Sequence, residues 1–367
     1  MQSENNIPEL PKASRTARST SKAPKKRSFF RSLLNFMLIF LAGFFSFFLL
    51  VFILAFWFLG NVTALFDDVS TSITTKEKIN RTVVMKGRMT SRRSIAVIDI
   101  KGVILYDGGA KIASASRIAT EIKAAIEDQN VVGILLDIDS PGGEVVASDE
   151  ILHQIKACRS AGKPVVACMR SLAASGAYFI ASGCDWIIAN RMTFTGSIGV
   201  IISSYQMSDL MDKIGVKPAV YRSGNMKDML SPTREHSNDE KEYVQNLVQS
   251  TFTEFCQVIA DGREAFASAE DVAAAPFADG RLLKGQDALE MGLVDQLGYF
   301  EDAVEKMRNL ASAPDAAVLR FSAYQGFWDT FFGVQAVNKL ALGNILSNKS
   351  FIPETGKPYF LAPEFCL

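Results

Sequence analysis

Val131-Val132-Gly133-Ile134-Leu135-Leu136-Asp137-Ile138-Asp139-Ser140-Pro141-Gly142-Gly143 is a nearly unbroken apolar run that closes in a carboxylate, a hydroxyl and a Pro-Gly-Gly turn. An apolar run of this length bounded by turn residues reads, over Val131 to Ile138, as a buried strand. Upstream, Ile95 to Ile100 reads as another strand, and Ser114 to Asp128 carries Ile118, Ile122 and Ile126 at helical spacing. Downstream, Glu144 to Ala161 reads as a helix, Pro164 to Met169 as a strand, Ala174 to Ser182 as a helix and Trp186 to Ala189 as a strand. Alternation of this kind implies an α/β domain with mostly parallel pairing, because parallel strands need helical crossovers. Periodicity alone leaves a doubly wound sheet open as the specific architecture.

Two segments carry chemistry: Ala173-Ala174-Ser175-Gly176-Ala177-Tyr178, and Lys227 within Ser223-Gly224-Asn225-Met226-Lys227-Asp228-Met229-Leu230. A serine hydroxyl needs a neighbouring base to become a nucleophile, and the usual base is histidine. Only His153 and His236 are present, and His153 sits in an ordinary helical pattern, so a Ser-His-Asp triad has little support. A neutral lysine amine does the same work when burial disfavours its charged form. Met226, Met229 and Leu230 make burial of such a lysine plausible. Ser175 alone reads equally as a helix N-cap, and Ala173 and Ala177 exclude the G-x-S-x-G nucleophile elbow.

Around Ser175 and Lys227, in Asp137 to Gly143 and in Thr195-Gly196-Ser197-Ile198-Gly199-Val200, the chain resembles the bacterial signal peptide peptidase A family of membrane-bound Ser/Lys proteases, of half-length type. The resemblance runs from about Ser94 to Leu310 and includes Gly285 to Asp295. It implies a Clp-protease/crotonase-like repeated β-β-α fold, Ser175 as nucleophile, Lys227 as general base and Ser197 as the hydroxyl that holds the lysine. It also implies an oxyanion hole made by the amides of Gly143 and Gly176, and a homo-oligomeric dome whose subunits share catalytic residues. One departure is Ala177, where family members commonly carry a second glycine. The implied reaction is acyl transfer at a peptide carbonyl, requiring no metal or cofactor. Since the base must be neutral, activity should rise toward alkaline pH.

Charge and hydropathy place the domain. The 39 basic and 39 acidic residues cancel, leaving no global field that points to nucleic acid. Residues 1–31 hold eight Lys or Arg, lack apolar periodicity and read as a disordered cytoplasmic tail. Residues 32–62 read as an uncleaved membrane anchor, since about 20 apolar residues span a bilayer and a signal-peptide core is shorter. Flanking positive charge keeps the tail in the cytoplasm. The chain beyond the anchor is then extracytoplasmic, periplasmic in a bacterium with two membranes: a linker over 63–93, the protease domain over 94–312 and a C-terminal extension over 313–367. A domain tethered at the bilayer meets hydrophobic peptides, so remnant signal peptides are the expected substrates.

Five cysteines at 158, 168, 184, 256 and 366 form no disulfide framework or zinc spacing. Within the extension, Phe327 to Ile345 presents an apolar helical face suited to a membrane, a subunit or the core. Pro353 to Leu367 is expected to be extended, its apolar end lying in the protease's own cleft as a product-like inhibitor. Two other readings share the fold: a crotonase acting on acyl-CoA, disfavoured by the anchor, and a catalytically silent membrane scaffold, disfavoured by the presence of both Ser175 and Lys227.

Overall fold

The apolar runs assemble as neighbouring strands of one sheet. A computed structural model describes residues 34–54, 79–88, 91–107, 112–323 and 357–362. It divides into two units, 1–75 and 76–367. In the first, α1 (Leu34–Leu54) is a 21-residue apolar helix, long enough to cross a membrane. Ala55 to Phe66, the rest of the uncharged run, and Phe327 to Ile345 lie outside the described residues.

In the second unit, β2 (Ser94–Lys101), β5 (Val131–Ser140), β7 (Val165–Ala174) and β8 (Trp186–Ala189) run parallel in that order. Helices α2 (Ala115–Glu127) and α3 (Val145–Ser160) connect them. Each strand and helix expected from periodicity is present within a few residues. β5 buries nearly every residue, as its Val/Ile/Leu-rich first half requires of a strand covered on both faces. Ser114 caps α2, its hydroxyl accepting from the Arg117 amide at 3.4 Å.

The sheet is wider than the alternation predicted. β1 (Ile79–Met85) pairs antiparallel with β12 (Ala317–Ala323), and β12 pairs parallel with β2. β1 falls in the expected linker and β12 in the expected extension, and together they close one edge. β1 exposes five of its seven residues, so as an edge strand it lacks the apolar run that marks a buried one. Past β7, β9 (Phe194–Gly196) pairs with β7 and β10 (Leu282–Lys284) with β9, while β11 (Gln296–Leu297) pairs with β8.

A second, smaller sheet holds the cleft. Its order is β13 (Tyr359–Leu361), β6 (Gly142–Glu144), β3 (Ile104–Leu105) and β4 (Ala113–Ser114). After β9 the chain forms the short helix α5 (Ser208–Lys213), none of whose residues is buried. Helices α4 (Gly176–Ser182) and α6 (Asn238–Gly262) pack beneath the small sheet, with Phe179, Phe255 and Phe360 stacked at centroid distances of 4.7 to 5.2 Å. Cys158, Cys168, Cys184 and Cys256 are free and buried, as small hydrophobes are. Burial pushes the thiols of Cys158 and Cys256 up to about 11 and that of Cys168 to about 12, away from nucleophile or ligand chemistry.

Candidate active site

Ser175 stands where β7 ends and α4 begins. Its backbone is forced into φ 54°, ψ −117°, a region that a residue with a Cβ seldom enters. Neighbouring bonds fix it there. The Ser175 amide donates to the Gly196 carbonyl at 2.8 Å and the Thr195 hydroxyl to the Ala173 carbonyl at 2.7 Å, locking β7 to β9. One helical turn on, the buried Tyr178 hydroxyl donates to the Leu293 carbonyl at 2.9 Å and pins α4. This is the strained geometry of a nucleophile elbow, reached without the G-x-S-x-G pattern, so sequence spacing could not reveal it.

Gly176 and Gly143 face each other across the corner. A Cβ built on Gly176 would lie 3.2 Å from the Gly143 nitrogen, and one on Gly142, at φ +96°, would lie 2.7 Å from the Gly176 nitrogen. Only glycine lets the two backbones approach this closely. Gly143 is also pressed against β3, since a Cβ there would sit 1.9 Å from the Ile104 carbonyl oxygen. The Ser140 hydroxyl, accepting from the Gly142 amide at 3.1 Å, sets the turn. The two glycines whose amides are expected to form an oxyanion hole are therefore packed together at the start of α4, next to Ser175.

Ser197 follows directly on the Gly196 carbonyl that holds Ser175, and it too has positive φ, at 51°. It lines a cavity of about 480 Å³ together with Val200, Val248, Phe252 and Leu361. Ala177 is wholly buried in the core rather than narrowing the cleft.

Lys227 is the one predicted residue that the fold of a single chain does not bring in. It lies exposed in a turn whose amide bonds the Gly224 carbonyl at 3.1 Å, next to an exposed Met226. The Ser175 Oγ is buried and has no hydrogen-bond partner among the described residues. The burial expected from Met226, Met229 and Leu230 is absent: none of residues 202–236 is buried, and Tyr205, Leu210, Ile214, Val220 and Tyr221 all stay open. Ion pairs hold the turn instead. Asp228 accepts from Arg222 at 2.6 Å and from Arg234 at 2.8 Å, and Arg234 continues to Glu240. The Arg234 and Arg222 guanidinium groups hold the Asp228 carboxyl well below the usual carboxylate range. Neither histidine substitutes as base: His153 is exposed on α3, and the His236 ring pairs with the Ser231 carbonyl at 3.1 Å.

The C-terminal strand β13 lies over the corner. Tyr359, Phe360 and Leu361 face Glu144, Gly143 and Gly142 in an antiparallel ladder. The Ala362 amide donates to the Pro141 carbonyl at 2.9 Å, and Tyr359 and Ile201 exchange amide bonds at 3.0 and 3.1 Å. Phe360 approaches closely, its Cβ 3.2 Å from where a Gly176 side chain would begin. The expected extended C-terminal segment is thus found in the cleft over residues 357–362.

The profile of peptidase family S49 matches residues 157–313. An Enterococcus faecium protein described as a candidate signal peptide peptidase SppA is 37% identical over 257 residues, 68% of this chain and 72% of that one. Protease 4 of Haemophilus influenzae is 32% identical over 252 residues, 67% of this chain and 39% of that one. A solved membrane-bound stomatin-specific protease with a substrate peptide is 18% identical, covering 68% of this chain and all of that chain, with a TM-score of 0.41.

Proposed function

Since the chain belongs to peptidase family S49 and is a serine protease of the signal peptide peptidase A kind, we propose that it uses Ser175 as nucleophile and Lys227 as general base on hydrophobic peptides, remnant signal peptides among them. The observation that carries this reading is Ser175 itself, a strained, buried hydroxyl beside the closely packed backbones of Gly143 and Gly176. Attack on a peptide carbonyl places the developing oxyanion toward those amides, and removal of one such donor typically costs about 10²–10³ in rate. The lysine accepts the Ser175 proton and passes it to the leaving amine. Water, activated by the same lysine, then releases the acyl group.

Because Lys227 is exposed and Ser175 Oγ has no partner among the described residues, the base comes from a neighbouring copy in a homo-oligomer. Exposed apolar residues on the Lys227 segment, Tyr205, Ile214 and Tyr221 among them, are the surface such a copy would cover. The apolar helix α1 serves as the anchor, with the tail cytoplasmic and the protease on the opposite side of the bilayer. Ser197, beside Ser175, holds the incoming amine.

The test is cleavage of a synthetic signal peptide by the full-length protein in detergent, comparing wild type, Ser175→Ala, Lys227→Ala and an equimolar mixture of the two variants assembled together. Both single variants are expected to be inert and the mixture to recover activity. A mixture that stays inert while Lys227→Ala alone retains activity would remove Lys227 as the base.

A further inference from the structure

Glu144 occupies the N-cap position of α3 yet does not cap it. A glutamate is an uncommon choice there, since Ser, Thr, Asp and Asn satisfy the free amides better. Its carboxylate turns instead toward the cleft. Oε2 accepts the Tyr106 amide at 3.0 Å, and Oε1 accepts the Lys357 ammonium at 2.6 Å. The Glu144 side chain is 13% exposed and that of Lys357 47%. A carboxylate this covered is costly without a cationic partner, and one amide bond satisfies only one of its oxygens. The two oxygens divide the work: one is held by the β3–β4 connection, which fixes the side chain, and the other is presented to whatever strand lies against β6.

β13 shows what such a strand looks like. Tyr359 faces Glu144 in the ladder, Phe360 faces Gly143, and Lys357 stands two residues before Tyr359 on the same side. Any peptide bound in this register places its corresponding side chain within reach of Oε1. We propose that Glu144 is a specificity-determining residue that selects peptides carrying Lys or Arg three residues before the residue that faces Gly143. The preferred substrate is then an apolar strand led by a positive charge, and a strand led by an acid is rejected by like-charge repulsion. The inference rests on the proposed reading of this cleft as the peptide site.

The test uses full-length protein and two peptides that copy residues 357–362, one with the leading Lys and one with Glu in its place, each extended at both ends by the same neutral residues. The quantity read is the ratio of kcat/KM for the two peptides within each enzyme, so occupancy of the cleft by the chain's own C-terminus cancels. Wild type should favour the Lys peptide about tenfold, the combined effect of one partly exposed ion pair gained and one repulsion avoided. Glu144→Gln, which keeps an oxygen for the Tyr106 amide, should bring the ratio close to one, and Glu144→Lys should invert it. An unchanged ratio in both variants overturns the proposal. The same peptides, dye-labelled, are titrated by fluorescence anisotropy into Ser175→Ala protein with and without Glu144→Gln. If neither peptide is cleaved but the Kd ratio collapses in the double variant, charge selection stands and proteolysis falls. A Kd ratio that Glu144→Gln leaves unmoved refutes the role of Glu144 whatever the cleavage result.

Discussion

Phe360→Ala should release the C-terminal strand and raise the cleavage rate. Phe360 is 1% exposed, and its ring packs 5.0 Å from Phe179 and 4.7 Å from Phe255. Truncating a buried phenylalanine costs about 3–5 kcal/mol in lost transfer energy and cavity formation. Because Phe360 reaches the main core from the three-residue strand β13, the loss falls on the docking of that strand. Among the described residues β13 is held by a three-residue ladder, the Ile201 and Pro141 amide bonds and the Lys357–Glu144 pair. At about 1.4 kcal/mol per factor of ten, even 3 kcal/mol lowers the ratio of docked to undocked strand by roughly a hundredfold. Hydrogen exchange measures this directly, because the Tyr359 and Ala362 amides are protected by bonds across the cleft. Their exchange should accelerate by about that factor while β5 and β7 amides stay unchanged. Cleavage of an added peptide should rise in parallel, since the strand and the substrate compete for the same ladder on β6. Unchanged exchange with a lowered melting temperature would overturn this account, for it would make Phe360 a plain core residue. Faster exchange without faster cleavage would show that the strand does not block the site.

Truncation after Thr355 should raise cleavage more than Phe360→Ala does, as it removes the ladder along with the ring; a steady-state rate equal to that of the intact chain would show that the segment is no inhibitor. Gly176→Ala should fold, because its methyl meets the movable Ser148 hydroxyl at 2.6 Å, yet lose about 10²-fold in kcat by intruding 3.2 Å from the Gly143 nitrogen; single-turnover kinetics with a normal melting temperature would check this. Asp137→Asn should flatten the acid limb of the stability curve. Burial alone would raise that carboxyl, but the Arg170 hydrogen bond and charge, with Lys101 and Arg320, outweigh it and hold it below its usual value. A lowered folded-state value means stability that is present above the unfolded value near 4 and is lost as pH falls through the folded one. Urea unfolding at pH 6 and pH 3 should therefore show a smaller difference in the variant, and an equal difference would count against the linkage.

Much of this architecture could be read from the chain because its central strands are buried on both faces. Val131 to Leu136 and Val165 to Met169 have no charged interruption, so composition alone separates them from helix surface. The edge is less legible for the same reason: β1 exposes five of its seven residues, the apolar runs of β1 and β12 are only three residues long, and β3, β4 and β6 are two or three residues long. At the site, Gly143, Gly176 and Ser197 were readable as small residues in turns, and the structure gathers them around Ser175. The positive φ angles of Ser175 and Ser197 left no mark in the sequence, because strain is imposed by partners distant in the chain, such as Arg281, whose carbonyl accepts the Ser197 amide at 2.8 Å. The placement of Lys227 was misjudged from Met226 and Leu230, whose apolar character suits a surface awaiting another chain as well as it suits a core. Glu144 escaped notice because a glutamate beside a helix start looks like ordinary helix-dipole complementarity.

Strain and incompleteness belong to the same physical arrangement. A residue held at φ 54°, ψ −117° costs on the order of 1–3 kcal/mol and persists only where its surroundings over-determine it. Three elements do so here: β9 through the Gly196 carbonyl, α4 through the Tyr178 anchor, and β6 through the close approach of Gly142. On the proposed reading, the Ser175 nucleophile and the two glycine amides are therefore preorganised in every copy of the chain. The proposed general base is built in the opposite way. Lys227 rides on an exposed turn whose shape is fixed by the Arg222–Asp228–Arg234–Glu240 ion pairs to the start of α6, not by core packing. On the proposed reading, a rigid half-site and a separately clamped, solvent-facing lysine leave an isolated chain without a base at Ser175 Oγ. On the same reading, proteolysis is switched on by assembly, which delivers the lysine, and by departure of β13, which opens the ladder to a substrate strand.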